Sequence, residues 1–479
     1  MTSAIVVGAG PNGLAAAVTL ALGGVEVTVL EAAATIGGGT RTSELTLPGL
    51  LHDECSAIHP MAAASPFLQS LDLSAHGLRW LRPDIDVAHP LDSGTAAVLH
   101  TAIEDTAVGL GADGAGWRRF FGPLTARIDA LTQELFQPVA HLPRHPLTLA
   151  RFGLNALLPA TVTARRWSTD EARALFGGIA AHALYPLTRP TTTAVGAMMI
   201  AAGHRYGWPV AQGGSRAITD ALAAVLTAHG GKIETGIHVT SLRQLPPSDL
   251  VMLDLSPTGV VEIAGDQLPS RVARAYRRWR YGPGAFKVDL AVEGGIPWRN
   301  VACRAAGTVH LGGTLEEIAA AERAVHSGRM PERPFVLVAQ QYLADPSRSN
   351  GDTHPVWAYA HVPHGYTGDA TGPLLAQIER FAPGFRDRVL AQRVRTTTEM
   401  AAYNPNYVGG DIITGANTPL QVALRPRTAS NPYATGIPGV HICSAATPPG
   451  AGAHGMGGHN AARSALKTLH TPRGGRQYG

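Results

Sequence analysis

Apolar residues near the start of the chain fall into three runs that differ in length and spacing. The short run from Ile5 to Val7 predicts a buried strand, and the run from Val25 to Leu30 predicts a second one. Between them, the longer apolar run from Leu14 to Leu22 predicts a helix. Strand, helix and strand in this order predict a βαβ unit with two parallel strands.

The remaining sequence changes from mainly helical to mainly extended spacing near residue 284. Before that point we predict helices over 117–136, 147–158, 169–184, 191–205 and 217–229, and strands over 232–242 and 249–255. After it, β-branched and aromatic residues predict strands over 285–290, 336–340 and 356–362, with a helix over 373–381. The chain ends with a predicted strand over 439–443 and a predicted helix over 460–469.

This order predicts an α/β fold in which a Rossmann-like nucleotide domain is discontinuous. We assign residues 1–104, 206–283 and 412–479 to the nucleotide domain. Residues 105–205 are expected to form a helical cap. Residues 284–411 are expected to form a mixed-sheet substrate domain of α+β type, inserted into the nucleotide fold.

The composition fits a globular protein and weakens several other classes. Hydrophobic residues make up 45% and charged residues 15% of the 479 residues, and the formal net charge is +4. So mild a charge does not indicate a nucleic-acid partner. No apolar run reaches the roughly 18 residues of a membrane span. An arginine cluster over 271–280 leaves two interpretations open, peripheral contact with a membrane or one solvated helix face.

The cysteines Cys55, Cys303 and Cys443 are widely separated in the sequence. Their spacing supports neither a zinc ribbon nor a redox disulfide, and it fits a reduced, cytoplasmic setting. No positively charged stretch precedes the first apolar run, so we predict no secretory signal.

The turn between the first strand and the first helix has the pattern Gly-x-Gly-x-x-Gly. Gly8 allows the tight turn, Gly10 lets a pyrophosphate approach the backbone, and Gly13 allows close packing of the helix on the sheet. Glu31, about 20 residues further on, can accept hydrogen bonds from ribose hydroxyls. The pattern therefore predicts a site for an adenine dinucleotide. Its predicted contacts are Gly8, Gly10, Pro11, Asn12, Gly13, Glu31 and Ala32.

A second copy of the glycine pattern occurs at Gly109, Gly111 and Gly114. The residues before it are polar and acidic, and the residues after it continue with helical spacing. Because no strand flanks it on either side, we interpret this copy as a loop and the start of a helix.

Two further features favour FAD over NAD. Gly37 and Gly38, followed by Arg41, let the backbone return to the pyrophosphate with a guanidinium nearby. A glycine-rich segment over 450–458 then leads into the last helix, whose N-terminus can stabilise negative charge on a reduced flavin.

Other motifs extend this pattern over nearly the whole chain. They are Gly37 to Arg41, Gln212 to Gly214, Gly307 to Glu317, Asn404 to Asp411 and Ser444 to Gly458. Together with Gly8 to Glu31, they resemble the phytoene dehydrogenase-like FAD-dependent oxidoreductases. Within that family, the resemblance is closest to the branch called pyridine nucleotide-disulfide oxidoreductase domain-containing protein 2.

The resemblance implies FAD as the cofactor and an architecture like that of amine oxidases and phytoene desaturases. It also implies that Val239 contacts the adenine. Related flavoproteins often place an acid on the ribityl chain, and Ser444 stands in that neighbourhood instead, so this contact is expected to be weaker or made otherwise. The additional cofactor contacts implied in this way are Gly38, Gly39, Thr40, Arg41, Val239, Ser444, Gly455 and Met456.

The candidate catalytic residues are fewer than the cofactor contacts, and they are assigned from their positions in the sequence. His454 lies in the terminal glycine segment, and the resemblance places His59 near the flavin face. Tyr403 belongs to an aromatic and amide-rich segment that could line a cavity. Each of the three has a purely structural alternative. Residues expected at the substrate cavity are Arg205, which could pair with an anionic substrate group, and Trp208, Asn404 and Tyr407. His454 and His459 lack a third ligand, so we predict no metal site.

The expected reaction is transfer of a hydride from a hydrophobic small molecule to flavin N5, in a desaturation, dehydrogenation or isomerisation. Oxygen and a quinone both remain candidates for the electron acceptor. One alternative is a flavin amine oxidase. Another is a non-enzymatic lipid or prenyl escort on the same fold, against which the intact glycine motifs argue.

Overall fold

Two sheets organise the protein, for which a computed structural model describes residues 2–470. The smaller one, which we call the nucleotide sheet, has five parallel strands. In spatial order these are Val440–Ile442, Leu250–Leu253, Ser3–Val7, Glu26–Glu31 and Lys232–Thr235. Strands from the start, middle and end of the chain thus build one nucleotide-binding layer, and the predicted α/β fold class is confirmed.

The other sheet, which we call the large sheet, has seven strands. In spatial order these are Val389–Arg395, Gly284–Glu293, Thr353–Val362, Val336–Ala339, Ala306–Leu311, Ile85–Pro90 and Ala96–Leu99. Only the pairing of Ala306–Leu311 with Ile85–Pro90 is parallel. Two small antiparallel pairs complete the strands, Thr42–Glu44 with Leu51–Asp53 and Trp80–Leu81 with Val210–Ala211.

The last two strands of the large sheet correct one predicted boundary. Residues 85–99 pair with the strands of 284–411, although the sequence prediction grouped them with 1–104 in the nucleotide domain. The segment 1–104 therefore divides between the two sheets. Because Ile85–Pro90 is buried along nearly its whole length, its apolar pattern does not indicate which sheet it joins.

Helices cover both sheets. They are Pro11–Leu22, Pro60–Ala63, Pro66–Gln69, Ile103–Gly109, Gly114–Thr125, Ile128–Leu135, Pro146–Ala156, Ala160–Thr163, Asp170–Ala180, Thr192–Tyr206, Arg216–Ala228, Pro257–Ala264, Ser270–Arg277, Val301–Ala305, Leu315–His326, Thr371–Phe381, Thr397–Tyr403, Pro419–Leu424 and Met456–His470. None of the helices in residues 2–470 combines the length and the apolar character that a membrane span needs. Gly114, the last glycine of the second pattern, begins the helix Gly114–Thr125 as predicted. Gly109, predicted in a loop, instead ends the helix Ile103–Gly109.

Two predicted elements are shorter than expected. The helix predicted over 117–136 divides into Gly114–Thr125 and Ile128–Leu135, because Arg127 between them has a non-helical φ of −124° and ψ of 19°. The strand predicted over 232–242 ends at Thr235, because Gly236 adopts a left-handed φ of +73°. The chain beyond it turns back, and the N–H of Ile237 donates to the carbonyl of Glu31 at 2.9 Å.

The first helix, Pro11–Leu22, is buried on nearly every side because two other helices enclose it. The terminal helix, Met456–His470, approaches it so closely that a Cβ atom on Gly458 would lie 1.7 Å from the carbonyl oxygen of Asn12. The amide oxygen of Asn12 also accepts a hydrogen bond from the N–H of Gly458 at 3.4 Å. The N-termini of the first and last helices therefore lie side by side.

Candidate functional site

A backbone hydrogen bond and close helix packing fix the conformation of the glycine turn after the first strand. The N–H of Gly8 donates to the carbonyl of Leu30 at 2.8 Å. A Cβ atom on Gly13 would lie 2.0 Å from the carbonyl oxygen of Gly8, so only glycine lets the helix pack this closely. The helix opens with Pro11, and its first-turn N–H groups have no intrahelical partners. This geometry directs the positive end of the helix at the adjoining cavity.

Glu31 connects the parts of the predicted nucleotide site. Its carboxylate accepts hydrogen bonds from the N–H of Ala9 at 2.8 Å and of Ala33 at 2.9 Å. The guanidinium of Arg41 lies 3.2 Å from the same carboxylate. Thus the acid that follows the second strand fixes the glycine turn and the neighbouring guanidinium together.

A second acid at this site was missed from the sequence. Asp254 follows the strand Leu250–Leu253 and accepts a hydrogen bond from the N–H of Gly13 at 2.9 Å. Burial, together with the negative charge of Glu31, raises the pKa of Asp254 to about 7. Its place directly after a predicted strand could have indicated this site, since ligands of parallel sheets bind at the carboxyl ends of the strands.

Tyr403 supports the loop that carries Gly38. Its hydroxyl donates to the Gly38 carbonyl at 2.6 Å, and burial raises its pKa. The guanidinium carbons of Arg41 and Arg395 lie 5.4 Å and 4.4 Å from the centre of its ring. The contacts of this candidate catalytic residue are therefore structural: its hydroxyl holds the Gly38 loop, and its ring packs against two guanidinium groups.

The glycine turn opens into a continuous cavity of about 950 Å³, at the upper end of the roughly 300–1,000 Å³ range of small-molecule pockets. Most of the predicted site residues line it: Gly8, Gly10, Pro11, Asn12, Glu31, Ala32, Gly38, Gly39, Thr40, Arg41, His59, Trp208, Val239, Tyr403, Asn404, Tyr407, Ser444 and His454. The cavity runs from the nucleotide sheet to the large sheet and the helices of 146–206.

Four predicted residues are outside this lining. Gly13 packs against Gly8, while Gly455 and Met456 form the start of the terminal helix behind the cavity wall. Arg205 is a correction, because its side chain is exposed at the end of the helix Thr192–Tyr206 and its guanidinium lies over the Tyr206 ring at 5.7 Å. Because the Arg205 side chain faces solvent, it does not form part of the cavity wall.

The two candidate catalytic histidines are buried and neutral. The Nε2 atom of His59 lies 2.8 Å from the hydroxyl of Ser215. The Nδ1 atom of His454 accepts a hydrogen bond from the N–H of Met456 at 3.1 Å, and its ring lies 4.9 Å from that of Phe136. Burial lowers the pKa of each imidazole to about 4. Each could orient a ligand at neutral pH, but neither carries a charge there.

The end of the cavity away from the nucleotide sheet is mainly apolar. Its lining includes Phe152, Leu184, Val195, Met198 and Met199 from the helical segment, with Leu337, Ala339, Trp357 and Tyr359 from the large sheet. Among the described residues, Thr308 Oγ1, Trp208 Nε1 and Trp357 Nε1 have no hydrogen-bond partner although they are buried. These groups can serve a bound molecule, since buried polar atoms usually have partners.

A histidine pair lies at the same end. The Nε2 atoms of His182, in the cavity lining, and His310, behind it, are 3.2 Å apart. Burial lowers the pKa of His182 to about 3, and the pKa of His310 also lies well below its usual value. Sequence reasoning missed the pair because its members are far apart in the chain.

In the described part of the chain, no group of three or more His, Cys, Asp or Glu side chains could hold a metal ion.

The donor set fits an adenine dinucleotide. Val239 and Ile237 provide an apolar wall beside Glu31, where an adenosine would lie. Two helix N-termini meet between the sheets, where they suit a diphosphate and a polar ring edge. The backbones of Gly10 and Gly38 lie within van der Waals distance of each other. Neither residue has a side chain that would fill the groove.

Comparison with known proteins agrees with this geometry. Residues 6–71 match the NAD(P)-binding Rossmann-like domain. Over 97% of its length, the chain is 25% identical to pyridine nucleotide-disulfide oxidoreductase domain-containing protein 2 of Rattus norvegicus, 93% of which is covered. The chain is thus similar to this protein over nearly the whole length of both. The resemblance stated from the sequence motifs is confirmed, as is the assignment to an oxidoreductase class.

Solved structures show the same fold. A putrescine oxidase double mutant superimposes with a TM-score of 0.61 at 18% identity, covering 98% of this chain and 99% of the oxidase. An oxidoreductase from Methanosarcina mazei gives a TM-score of 0.60 at 16% identity, covering 98% of this chain and all of that one. The chain therefore has an amine-oxidase-like fold. Its Rossmann-like domain indicates a flavin or another nucleotide cofactor.

Proposed function

We propose that the protein is an FAD-dependent oxidoreductase that removes a hydride from a hydrophobic small molecule and passes it to flavin N5. The observation that carries this proposal is the single cavity that joins the glycine turn of the nucleotide sheet to an apolar chamber against the large sheet. A cofactor and an oxidisable substrate can therefore meet inside one enclosure.

The residues that would hold FAD are distributed over the whole chain. Glu31 would accept hydrogen bonds from the ribose, while Val239 would cover the adenine. The backbone N–H of Asn12 would face the pyrophosphate, since Pro11 has no N–H and that of Gly13 is engaged by Asp254. The glycine segment before the terminal helix would adjoin the flavin ring. When bound, the flavin would supply the hydride acceptor, and the protein would supply binding, orientation and electrostatics.

The apolar chamber would position the substrate and exclude water. Its aromatic and methionine side chains match a hydrocarbon surface, while Thr308 and Trp357 offer hydrogen-bond donors at one wall. Burial lowers the pKa of His59, His182 and His454 in the cavity lining, so these imidazoles are weak general bases. Desaturation, dehydrogenation and isomerisation all suit such a site, and oxygen or a quinone would reoxidise the cofactor.

The first experiment is purification of the full chain and measurement of its visible spectrum. We expect the absorption bands of an oxidised flavin, and a Glu31→Gln variant should retain less FAD than the wild type. Glu26→Gln is the matched control, because Glu26 is exposed on the same strand. A colourless protein that rejects added FAD would overturn the proposed cofactor and would favour an escort function instead.

The substrate requires a second measurement. Anaerobic bleaching of the flavin by panels of polyenes, alcohols and amines would identify the class that is oxidised, and readmission of oxygen or a quinone would identify the acceptor. Bleaching by amines alone would replace our proposal by a flavin amine oxidase.

A further inference from the structure

We propose that Arg425 binds an acidic group of the substrate, so that the protein acts on an amphipathic carboxylic acid. This inference rests on the proposed function, since it names the class of molecule that enters the apolar chamber. It does not depend on which carbon of that molecule is oxidised.

Arg425 is a buried cation that faces the cavity. It follows the helix Pro419–Leu424, lines the cavity and is only 4% exposed. Its Nη2 donates to the amide oxygen of Asn417 at 3.0 Å, and its Nε has no partner among residues 2–470. Burial lowers its pKa to about 10, so the guanidinium stays protonated at neutral pH.

No carboxylate in the described part of the chain lies within 4.0 Å of this guanidinium. Asp411 is the acid whose charge it senses. However, the carboxylate of Asp411 already accepts hydrogen bonds from the N–H groups of Gly282, Ile413 and Gly415. A buried charge without a counter-ion is costly, and an anionic ligand would offset that cost.

The other guanidinium in the cavity lining belongs to Arg41, which is paired with Glu31 at the nucleotide end. That leaves Arg425 as the cation available to a second molecule. An amine substrate would carry a positive charge towards the same group, whereas a carboxylate can accept two parallel N–H donors from a guanidinium.

Arg425 lies where cap and cofactor segments meet. A Cβ atom on Gly450, in the terminal glycine segment, would lie 2.2 Å from its Nη1. Asn417, its hydrogen-bond partner, donates in turn to the carbonyl of Ala183 in the helical segment. If the acid group of a substrate binds here, the apolar part of the same molecule would lie in the chamber lined by Leu184, Val195 and Met198.

The test uses the full-length protein loaded with FAD and measures ligand binding by calorimetry. Decanoate is the probe, with decan-1-ol as its uncharged counterpart and decylamine as its cationic one. We expect decanoate to bind more tightly than either. The variant Arg425→Gln should weaken decanoate binding on the order of 30-fold or more, because it removes one partner of a buried charge pair. Binding of decan-1-ol should stay unchanged.

Two further variants keep the outcome clear. Arg425→Lys retains the charge and should recover part of the decanoate affinity. Arg205→Gln removes an exposed arginine outside the cavity and should have no effect. Equal decanoate affinity in the wild type and Arg425→Gln would overturn the inference, as would failure of decanoate to bind. A shift of the flavin spectrum in Arg425→Gln without any change in decanoate binding would instead assign the guanidinium to the cofactor.

Flavin content is measured separately for every variant. A protein that keeps its flavin but ignores decanoate would refute the acid-binding inference alone. A protein without flavin would refute the proposed function by itself.

Discussion

The hydroxyl of Tyr403 donates a hydrogen bond to the backbone carbonyl of Gly38 at 2.6 Å, across 365 residues of sequence. This bond ties a helix next to the large sheet to the loop that lies against the nucleotide turn. The loop position therefore depends on a side chain from a distant segment.

We predict that Tyr403→Phe weakens FAD binding several-fold and lowers stability by about 1 kcal/mol, the usual net value of one hydrogen bond. The rate of substrate oxidation at saturating FAD should change little, because the hydroxyl is engaged with the backbone. Titration with FAD and single-turnover reduction separate these effects. A loss of rate on the order of 100-fold or more would instead support a role in proton transfer.

The variant Asp254→Asn is predicted to alter the pH dependence of stability. The pKa of Asp254 is raised from 3.8 to about 7 in the folded protein. Its contribution to stability is therefore complete below pH 3.8 and is lost as pH rises through 7. Relative to the wild type, the variant should gain about 1–4 kcal/mol between pH 4 and pH 8, at about 1.4 kcal/mol per pKa unit.

Urea unfolding at both pH values measures this difference for Asp254→Asn. The same carboxyl lies beside the predicted pyrophosphate site, so wild-type FAD affinity should also fall as pH rises through 7. A stability difference that is independent of pH would contradict the protonation of Asp254.

For His59 the pH effect has the opposite sign. Burial lowers its pKa from 6.5 to about 4, so its contribution to stability is complete above pH 6.5 and is lost as pH falls towards 4. Thermal unfolding should show a larger difference between wild type and His59→Gln at pH 7.5 than at pH 5. If the difference is constant, the imidazole does not titrate on unfolding.

Gly458→Ala is predicted to destabilise the protein by about 1–3 kcal/mol and to reduce FAD retention, because the new methyl group collides with the carbonyl of Asn12. Gly122→Ala is the matched control, since Gly122 lies inside a helix and a Cβ atom there meets nothing within 4 Å. That control should stabilise the protein by about 0.5–1 kcal/mol. Similar melting temperatures for both variants would refute the close contact between the helices.

The sequence predicted the nucleotide half of the site well because its parts are local. The turn from Gly8 to Gly13 and the acid Glu31 lie in one βαβ unit, where spacing alone determines geometry. Asp254 was missed because its hydrogen bond to Gly13 spans 241 residues. The position of Asp254 at the carboxyl end of a predicted strand indicated a place near a ligand, but it did not identify Gly13 as the partner.

The substrate half was less predictable because residue type does not reveal burial. Arg205 was predicted at the cavity and is exposed, whereas Arg425, which belongs to no recognisable sequence motif, is buried in its wall. Likewise, the strands over 85–99 join the large sheet through pairing with Ala306–Leu311, a partner that no local pattern specifies.

The contact between Asn12 and Gly458 joins two segments that lie 446 residues apart in the chain. Contacts of such high sequence separation carry a large loop-closure cost, so we expect the two helix N-termini to meet late in folding. A folding intermediate that has formed only the first βαβ unit would therefore have one wall of the groove without the facing one.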